Sequence, residues 1–270
     1  MRVRVKYSKQ GLMKFIGHLD MMRYFQKACR RAGIEVAYTE GLSPHMSMSF
    51  ALPLGVGMTS DSEYVDVDLV HPLPGDEIVE RLNRSVPEGV WFTEARQIPE
   101  GKAHKGMTLV SRADYTLRRK KEGGWEEGWC EDFLKWLDQP EILVVKKGKK
   151  TEKEINIRPL IFEARVVPAP AASFTREERI GKTKDGGCGI TASSPETDGP
   201  ALRLGLSAGL DRNIRPELVM QAFAEQTGRC REPFLFEINR DEVYADRGSD
   251  QAHDFIPLID LGNVITAGAK

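Results

Sequence analysis

An order of strand-like and helix-like patterns that occurs twice is the feature that most constrains the fold of this chain. Residues 62–70, SEYVDVDLV, alternate between apolar and polar types, which predicts a strand with one buried face. The patterns around it predict strands at 2–8, 34–38 and 90–98, helices at 17–33 and 74–86, and a short apolar run at 47–54. This order, β-α-β-(β)-β-α-β, is that of the split βαβ of a ferredoxin-like α+β domain. The run at 47–54 is either an added hairpin strand or irregular.

The second half of the chain repeats the plan. Its predicted strands are 108–119, 141–147, 154–167, 201–207 and 233–239, and its predicted helices are 125–137 and 216–226. We therefore predict an α+β protein of tandem ferredoxin-like (split βαβ) domains, residues 1–100 and 101–245, with the boundary near Pro99–Lys105.

Two segments fall outside this plan. Residues 168–200 are rich in Gly, Pro, Ser and Thr and show little periodicity, which predicts a disordered insertion in the second domain. Residues 246–270 form a C-terminal tail with one apolar patch, FIPLIDLGNVI, that docks either on the body or on a partner.

Composition narrows the class of protein. Apolar residues make up 40% of the 270 and charged residues 29%, as in soluble globular proteins, and no run reaches the roughly 18 apolar residues of a membrane span. The first residues alternate charge and Val, which predicts a strand rather than a signal peptide. The four cysteines include no C-x-x-C pair, so we expect ordinary thiols in a reducing cytoplasm, with no metal and no cofactor.

Charge is distributed unevenly along the first domain. Residues 1–34 contain nine basic groups and one acid, whereas residues 60–100 contain ten acids and three basic groups. A localised basic face is typical of proteins that bind a polyanion. Alternatively, the two segments neutralise each other within one domain.

The first predicted helix carries the candidate site. Its positions at helical spacing are Leu19, Met22, Phe25 or Gln26, and Cys29. In a split βαβ unit its N-terminus, a ready anion site, shares an end of the domain with the exit of the second strand, so we expect FIGHLD and GLSPHMS to form one rim. The candidate RNA- or phosphate-binding residues are Gly17, His18, Arg23, Lys27, Arg30, Arg31, Ser43 and His45.

His18 and His45 are also candidates for general acid–base catalysis, since histidine titrates near neutral pH, but we commit to no catalytic residue. Each has a structural alternative. His18 caps the helix or bonds Asp20, and His45 is a turn residue that contacts backbone. The basic stripe formed by Arg23, Lys27 and Arg30 is, in the same way, a solvated helix face.

A motif in residues 3–69 resembles a known family. The pattern GHLD…R…RRAG…SPH…F.LPLG is similar to the N-terminal signature of the radical SAM-linked proteins, a bacterial domain family, and a weaker likeness continues through Asn239. The resemblance implies a domain fused to, or encoded beside, radical SAM proteins. This chain has no C-x-x-x-C-x-x-C, so it would be a companion that does not hold the radical SAM cluster itself.

A looser resemblance, in architecture and in the short HLD…R pattern, is to the CRISPR repeat-processing endoribonucleases of the RAMP class. Three hypotheses follow. The first is an RNA-binding adaptor or companion subunit of a radical SAM RNA-modifying enzyme, with tRNA or rRNA as the bound RNA. The second is a metal-independent ribonuclease of RAMP-like architecture. The third is a protein-binding subunit that binds no nucleic acid.

Overall fold

The computed structural model describes residues 1–120, 128–147, 152–168, 200–210, 212–229, 236–249 and 252–266. The strands in these ranges are β1 (Arg2–Lys9), β2 (Met48–Phe50), β3 (Thr59–Asp68), β4 (Val90–Gln97), β5 (Val110–Arg119), β6 (Leu143–Lys147), β7 (Glu152–Asn156), β8 (Ile161–Val167), β9 (Ala201–Ser207), β10 (Phe236–Asp246), β11 (Phe255–Pro257) and β12 (Asn263–Val264). The helices are α1 (His18–Arg31), α2 (Gly75–Ser85), α3 (Gly106–Leu109), α4 (Trp129–Leu137) and α5 (Pro216–Thr227). Single 3₁₀ turns lie at Gly11–Phe15, Lys102–His104, Arg158–Leu160 and Leu258–Leu261.

One large mixed sheet organises the described residues. Its order is β12-β4-β1-β3-β10-β5-β9-β8, with β2 added to β3 and β11 added to β10, while β6 and β7 form a separate hairpin. Within the first half the order is β4-β1-β3-β2, and within the second it is β10-β5-β9-β8, with antiparallel neighbours in both. The predicted α+β class is therefore confirmed.

A short parallel pairing joins the two halves of the sheet. Asn239 of β10 pairs with Thr59 of β3, and Arg240 pairs with Ser60. The predicted boundary near Pro99–Lys105 lies between β4 and β5, and the division into domains there remains a prediction.

The second strand of the sheet differs from the predicted one. Residues 34–38 make only isolated bridges, Val36 with Leu69 and Tyr38 with Met46, because the chain turns back on itself at 39–45. The strand that lies along β3 is β2, within the apolar run at 47–54 whose role the sequence left open. Residues 34–38 and β2 are both short and apolar, and their pairing with β3 decides which of them forms the strand.

Two apolar clusters support the sheet. In the first half Tyr7 and Phe92 of the sheet contact Phe25 of α1, with ring centroids 4.7 and 5.3 Å away. In the second half the ring centroids of Phe133 on α4 and Phe223 on α5 are 5.2 Å apart. Trp129, Trp136 and Leu137 of α4 are buried as well.

The buried face of α1 is shifted from the predicted one. Met21, Phe25, Ala28 and Cys29 face the core, whereas Leu19 is 69% exposed. Leu19 lies in the first turn, one helical turn before the exposed Arg23, and so on the solvent face of α1.

Of the two segments outside the repeated plan, the structure describes most of the C-terminal tail and almost none of the insertion. Almost all of the predicted insertion at 168–200 lies outside the described residues. The C-terminal apolar patch packs on the body, since β12 pairs with β4, β11 pairs with β10, and Leu258 and Ile259 are buried.

Charged side chains are buried where the two halves meet. Arg240 of β10 donates to both carboxylate oxygens of Glu63 on β3, at 2.9 and 3.0 Å. Lys6 and Tyr64 both donate to Glu242 of β10. Because these bonds connect residues more than 170 positions apart, they hold the first half of the sheet against the second.

Candidate nucleic-acid interface

The exposed face of α1 carries the basic residues that the sequence singled out. The helix begins after the extended Gly17 and ends at Arg31, where Gly33 follows in the left-handed region at φ +63°. Because the apolar residues occupy the opposite side, Arg23, Lys27, Arg30 and Arg31 are all exposed. These four residues are called the basic face below.

Few carboxylates neutralise the basic face. Arg23 pairs with Asp20 at 3.1 Å, but both side chains are about two-thirds exposed or more, so this pair is weak. Arg30 donates to the Tyr38 hydroxyl at 3.3 Å, and Arg31 donates to the carbonyl of Ser85 at 3.0 Å. Lys27 makes no hydrogen bond or ion pair with any residue that the structure describes.

Three of the four basic residues of β1, in contrast, form ion pairs with acids. Arg2 pairs with Asp68, Arg4 with Asp66, and Lys6 with Glu242. The excess positive charge of residues 1–34 is therefore divided: acids neutralise much of it on β1, and the remainder faces solvent on α1. Neutralisation by acids, the second alternative drawn from the sequence, therefore applies to β1. A localised basic face, the first alternative, is present on α1.

Exposed apolar and aromatic side chains lie before, within and after α1. Phe15 precedes α1 and is 58% exposed, and Tyr38, bonded to Arg30, is 53% exposed. Leu12 and Leu19 are also exposed near the start of the helix. Proteins that bind single-stranded nucleic acids use positive charge to contact the phosphates and exposed aromatic rings to stack on the bases.

His18 lies at a cleft beside the start of α1. The cleft, called the Lys9 pocket, is lined by Tyr7, Lys9, His18, Met21, Phe50, Leu52, Pro53, Leu54 and Glu63. The His18 ring meets the Phe50 ring edge-on at 5.3 Å. Partial burial and then the charge of Lys9 lower the pKa of His18, so the imidazole is neutral at pH 7.

His45 lies in a different pocket. That pocket is lined by Arg2, Thr39, His45, Ser47, Met48, Ser49, Asp66, Asp68 and Lys105. The Nδ1 atom of His45 is 3.0 Å from the Thr39 hydroxyl and 3.3 Å from the carbonyl of Ser43. These bonds to its own loop agree with the interpretation of His45 as a turn residue.

The predicted common rim of Gly17, His18, Ser43 and His45 is wrong. Lys9 lines the pocket of His18 and Arg2 lines the pocket of His45, and these two residues are seven positions apart on β1, about 23 Å along the strand. The prediction assumed that the loop at 39–45 follows the second strand. The loop instead precedes β2, so it lies at the other end of the sheet.

No hydrogen bond or ring contact joins the two histidines within the described ranges. The proposed bond from His18 to Asp20 is also absent among those residues, because Asp20 pairs with Arg23. A mechanism that uses both histidines on one phosphate needs both within hydrogen-bonding reach of it, and this arrangement does not provide that.

Sequence reasoning missed the charged residues at the base of the Lys9 pocket. Lys9 and Glu63 are 3% and 4% exposed, and Arg240 reaches Glu63 from the second half of the chain. The alternation of β1 contained a signal for Lys9, because the period of two that buries Val3, Val5 and Tyr7 continues to this residue. Arg240 is distant in sequence and no local pattern indicates it.

Two absences concern the described residues alone. No helix among them is both long and apolar enough to cross a membrane. Within the same ranges, no group of three or more His, Cys, Asp or Glu side chains is arranged to hold a metal ion.

Comparisons with known proteins give one family and a distant structural likeness. No curated protein matches the sequence. A chain in a solved structure, titled "Crystal Structure of a Cbf5-Nop10-Gar1 Complex", is similar at a TM-score of 0.45 and 10% identity over 89% of this chain. The match covers 48% of that chain, about half its length. Residues 2–188 match the model of a family described as "Uncharacterized protein conserved in bacteria (DUF2344)", and the chain belongs to this family.

Proposed function

We propose that this chain is an RNA-binding protein that acts in the cytoplasm as an adaptor or companion subunit of a radical SAM RNA-modifying enzyme. The observation that carries the RNA-binding part is the basic face of α1, whose four cations are exposed and have one carboxylate partner, Asp20, among the described residues. The exposed ring of Tyr38, bonded to Arg30, and the exposed ring of Phe15, which precedes α1, supply surfaces for bases.

The same proposal includes a fold of two ferredoxin-like units in tandem, residues 1–100 and 101–245. The strand orders β4-β1-β3-β2 and β10-β5-β9-β8 support it, because a split βαβ unit places its first strand between the fourth and the third. In the second unit the hairpin of β6 and β7 is an insertion between α4 and β8.

The radical SAM partner is proposed from the resemblance of residues 3–69 to the radical SAM-linked proteins. This chain would hold tRNA or rRNA on the basic face and present it to the partner's active site. Co-purification of the partner with this chain, with and without ribonuclease treatment, tests whether the two associate and whether RNA bridges them.

Binding to total tRNA and to rRNA fragments across a salt series tests the RNA-binding function. If the four cations of the basic face each neutralise one phosphate of a single strand, the slope of log K against log salt is about −2.8, which means a roughly 50-fold weaker affinity at 200 mM than at 50 mM salt. In the Arg23→Gln/Lys27→Gln variant the same salt change weakens binding only about 7-fold, because two contacts are lost.

A matched control uses two exposed cations away from α1. The Arg212→Gln/Lys102→Gln variant removes the same two residue types, and we expect its salt dependence to equal that of the wild-type chain. Absence of binding at low salt, or an equal slope in both variants, would contradict the proposal.

Gel analysis of the same RNA addresses the ribonuclease alternative. Cleavage that His18→Ala or His45→Ala abolishes would replace the adaptor function by catalysis. The exposed side chains of Leu12 and Leu19 favour a protein-binding subunit as the second candidate. In that case an acidic partner protein binds the basic face and RNA fails to compete for it.

A further inference from the structure

The Lys9 pocket contains a buried ammonium group whose hydrogen-bonding capacity is mostly unused. Lys9 is 3% exposed, and its Nζ atom donates to the carbonyl of Ile16 at 2.8 Å. That is its one hydrogen bond among the described residues, although an ammonium group has three donors. Buried lysines are usually paired, because an isolated buried charge is costly.

The charges around Lys9 do not balance. Glu63 is the carboxylate that lines the pocket, and both of its oxygens accept from Arg240. Lys9 forms no ion pair with any described residue, so two cations share one anion in a buried place. Burial lowers the pKa of Lys9 and raises the pKa of Glu63, which shows how poorly either charge is solvated.

Two further groups at the pocket suit an anion. His18 lines it, is neutral at pH 7, and makes no hydrogen bond within the described residues, so its N–H is available as a donor. The pocket also lies at the start of α1, where Gly17 provides no side-chain cap for the first N–H groups of this 14-residue helix. Lysine, imidazole and helix N-terminus together provide donors and positive potential.

Apolar walls surround this polar base. Phe50, Leu52, Pro53 and Leu54 form one side of the pocket. The loop that continues from Leu54 is held against the turn before α1, because Gly57 N–H donates to the carbonyl of Lys14 at 2.8 Å. Apolar walls around a buried cation favour a phosphate at the end of a nucleic-acid strand over one within it. An internal phosphodiester would bring the nucleotides on both of its sides against these apolar walls.

The Lys9 pocket has room for about one water-sized group. We propose that it takes one oxygen of a phosphate monoester whose other oxygens stay at the mouth of the pocket, and that on RNA this group is the phosphate at a chain end. The inference rests on the proposed RNA-binding function and assigns a second part of the RNA to this chain. A terminal phosphate carries about −1.5 to −2 charges at pH 7, whereas an internal phosphodiester carries one. The two cations Lys9 and Arg240 share the one anion Glu63, and the helix N-terminus adds roughly +0.5 of a charge, so the terminal phosphate matches the positive charge around the pocket more closely. The basic face of α1 would then hold the internal phosphates that follow.

Fluorescence anisotropy with RNA octamers that differ only at their ends tests the inference. The probes carry a 5′-phosphate, a 3′-phosphate or hydroxyl groups at both ends. We expect the wild-type chain to bind one phosphorylated probe at least tenfold more tightly than the hydroxyl probe. Lys9→Met should abolish this preference, whereas Lys27→Met, on the basic face, should weaken all three probes by the same factor.

Inorganic phosphate provides a readout that does not depend on RNA. In an NMR titration of the His18 ring, phosphate should raise the pKa of His18 in the wild-type chain, because the anion stabilises the imidazolium. The rise should be lost in Lys9→Met. Thermal unfolding establishes that each variant is folded, and if Lys9→Met is not, His18→Gln replaces it in the octamer assay, since this half-buried side chain makes no hydrogen bond within the described residues.

The outcomes separate this inference from the proposed function. Equal affinity for all three octamers, with no response of His18 to phosphate, overturns the pocket and leaves RNA binding by the basic face intact. A response of His18 to phosphate that Lys9→Met removes, without binding of any octamer, supports a phosphate site and contradicts the RNA-binding function.

Discussion

Replacement of Arg4 by Met should destabilise the protein by about 3–5 kcal/mol, the cost of removing one partner of a buried ion pair. Arg4 is 0% exposed, and its guanidinium binds both oxygens of Asp66 at 2.8 and 3.0 Å. It also donates to the carbonyls of Leu258 and His104 at 3.0 and 2.9 Å. Without it, the Asp66 carboxylate stays buried with the Gly106 N–H as its remaining hydrogen-bond donor among the described residues.

The double variant Arg4→Met/Asp66→Leu tests the origin of this cost. It removes both charges, so the uncompensated carboxylate disappears, and the unpaired Gly106 N–H adds roughly 1–3 kcal/mol in its place. The carbonyls of Leu258 and His104 lose their Arg4 donor in both variants and so do not affect the comparison. We therefore expect the double variant to be more stable than Arg4→Met alone. Arg2→Met serves as the control on the same strand, because the pair of Arg2 with Asp68 is partly exposed and its loss should cost about 1 kcal/mol or less.

Urea unfolding followed by circular dichroism and by tryptophan fluorescence measures these differences. Trp91 lies in the first half of the sheet and Trp129 and Trp136 lie in the second, so coincident curves establish that the two halves unfold together. A loss below 1 kcal/mol for Arg4→Met would refute the reasoning. A double variant that loses as much as the two single variants combined would also refute it, because the charges would then act independently.

Two further predictions concern acid stability and thiol reactivity. Burial opposes ionisation of Asp68, but hydrogen bonds from Arg2 and Ser47 outweigh it and lower the pKa of Asp68; its stabilisation is therefore present above the ordinary value near 3.9 and is lost as pH falls through the lower folded value. Urea unfolding below about pH 4 should show a smaller loss of stability with falling pH in Asp68→Asn than in the wild-type chain, and equal slopes would contradict this. Burial raises the pKa of Cys29 to about 11 and that of Cys130 to about 12, so both thiols should resist iodoacetamide at pH 8 until urea unfolds the chain. Peptide mass spectrometry reads the labelling, and rapid modification of either cysteine in the native protein would show that its surroundings open.

The elements with a clear period were predictable from the sequence. The alternation around Asp66 indicated β3, and the apolar stripe of α1 with its terminal Gly33 indicated that helix, because local patterning alone determines which face of such an element can be buried. The strand at Ala201–Ser207 agrees with the prediction at both ends. The composition of the exposed helix face, and with it the basic candidates, was visible for the same reason.

Contacts between distant residues decided the rest. The sequence alone could not choose between 34–38 and β2 as the second strand, because both are short and apolar and the choice depends on pairing with β3. That choice places His45 at the other end of the sheet from His18. The parallel pairing of β3 with β10 brings Arg240 to Glu63, which is 177 residues away, and so completes the charged base of the Lys9 pocket.

The basic charge of the first 34 residues shows what the sequence determines and what depends on the tertiary structure. The amino-acid sequence by itself determined that this charge exists and that part of it lies on one face of α1. Only the tertiary structure decided that Arg2, Arg4 and Lys6 are neutralised, that α1 remains exposed, and that Lys9 is buried without a carboxylate partner among the described residues. The physical reason is that a charge is neutralised by the groups that lie beside it in the folded protein, and these groups come from residues that are distant in sequence.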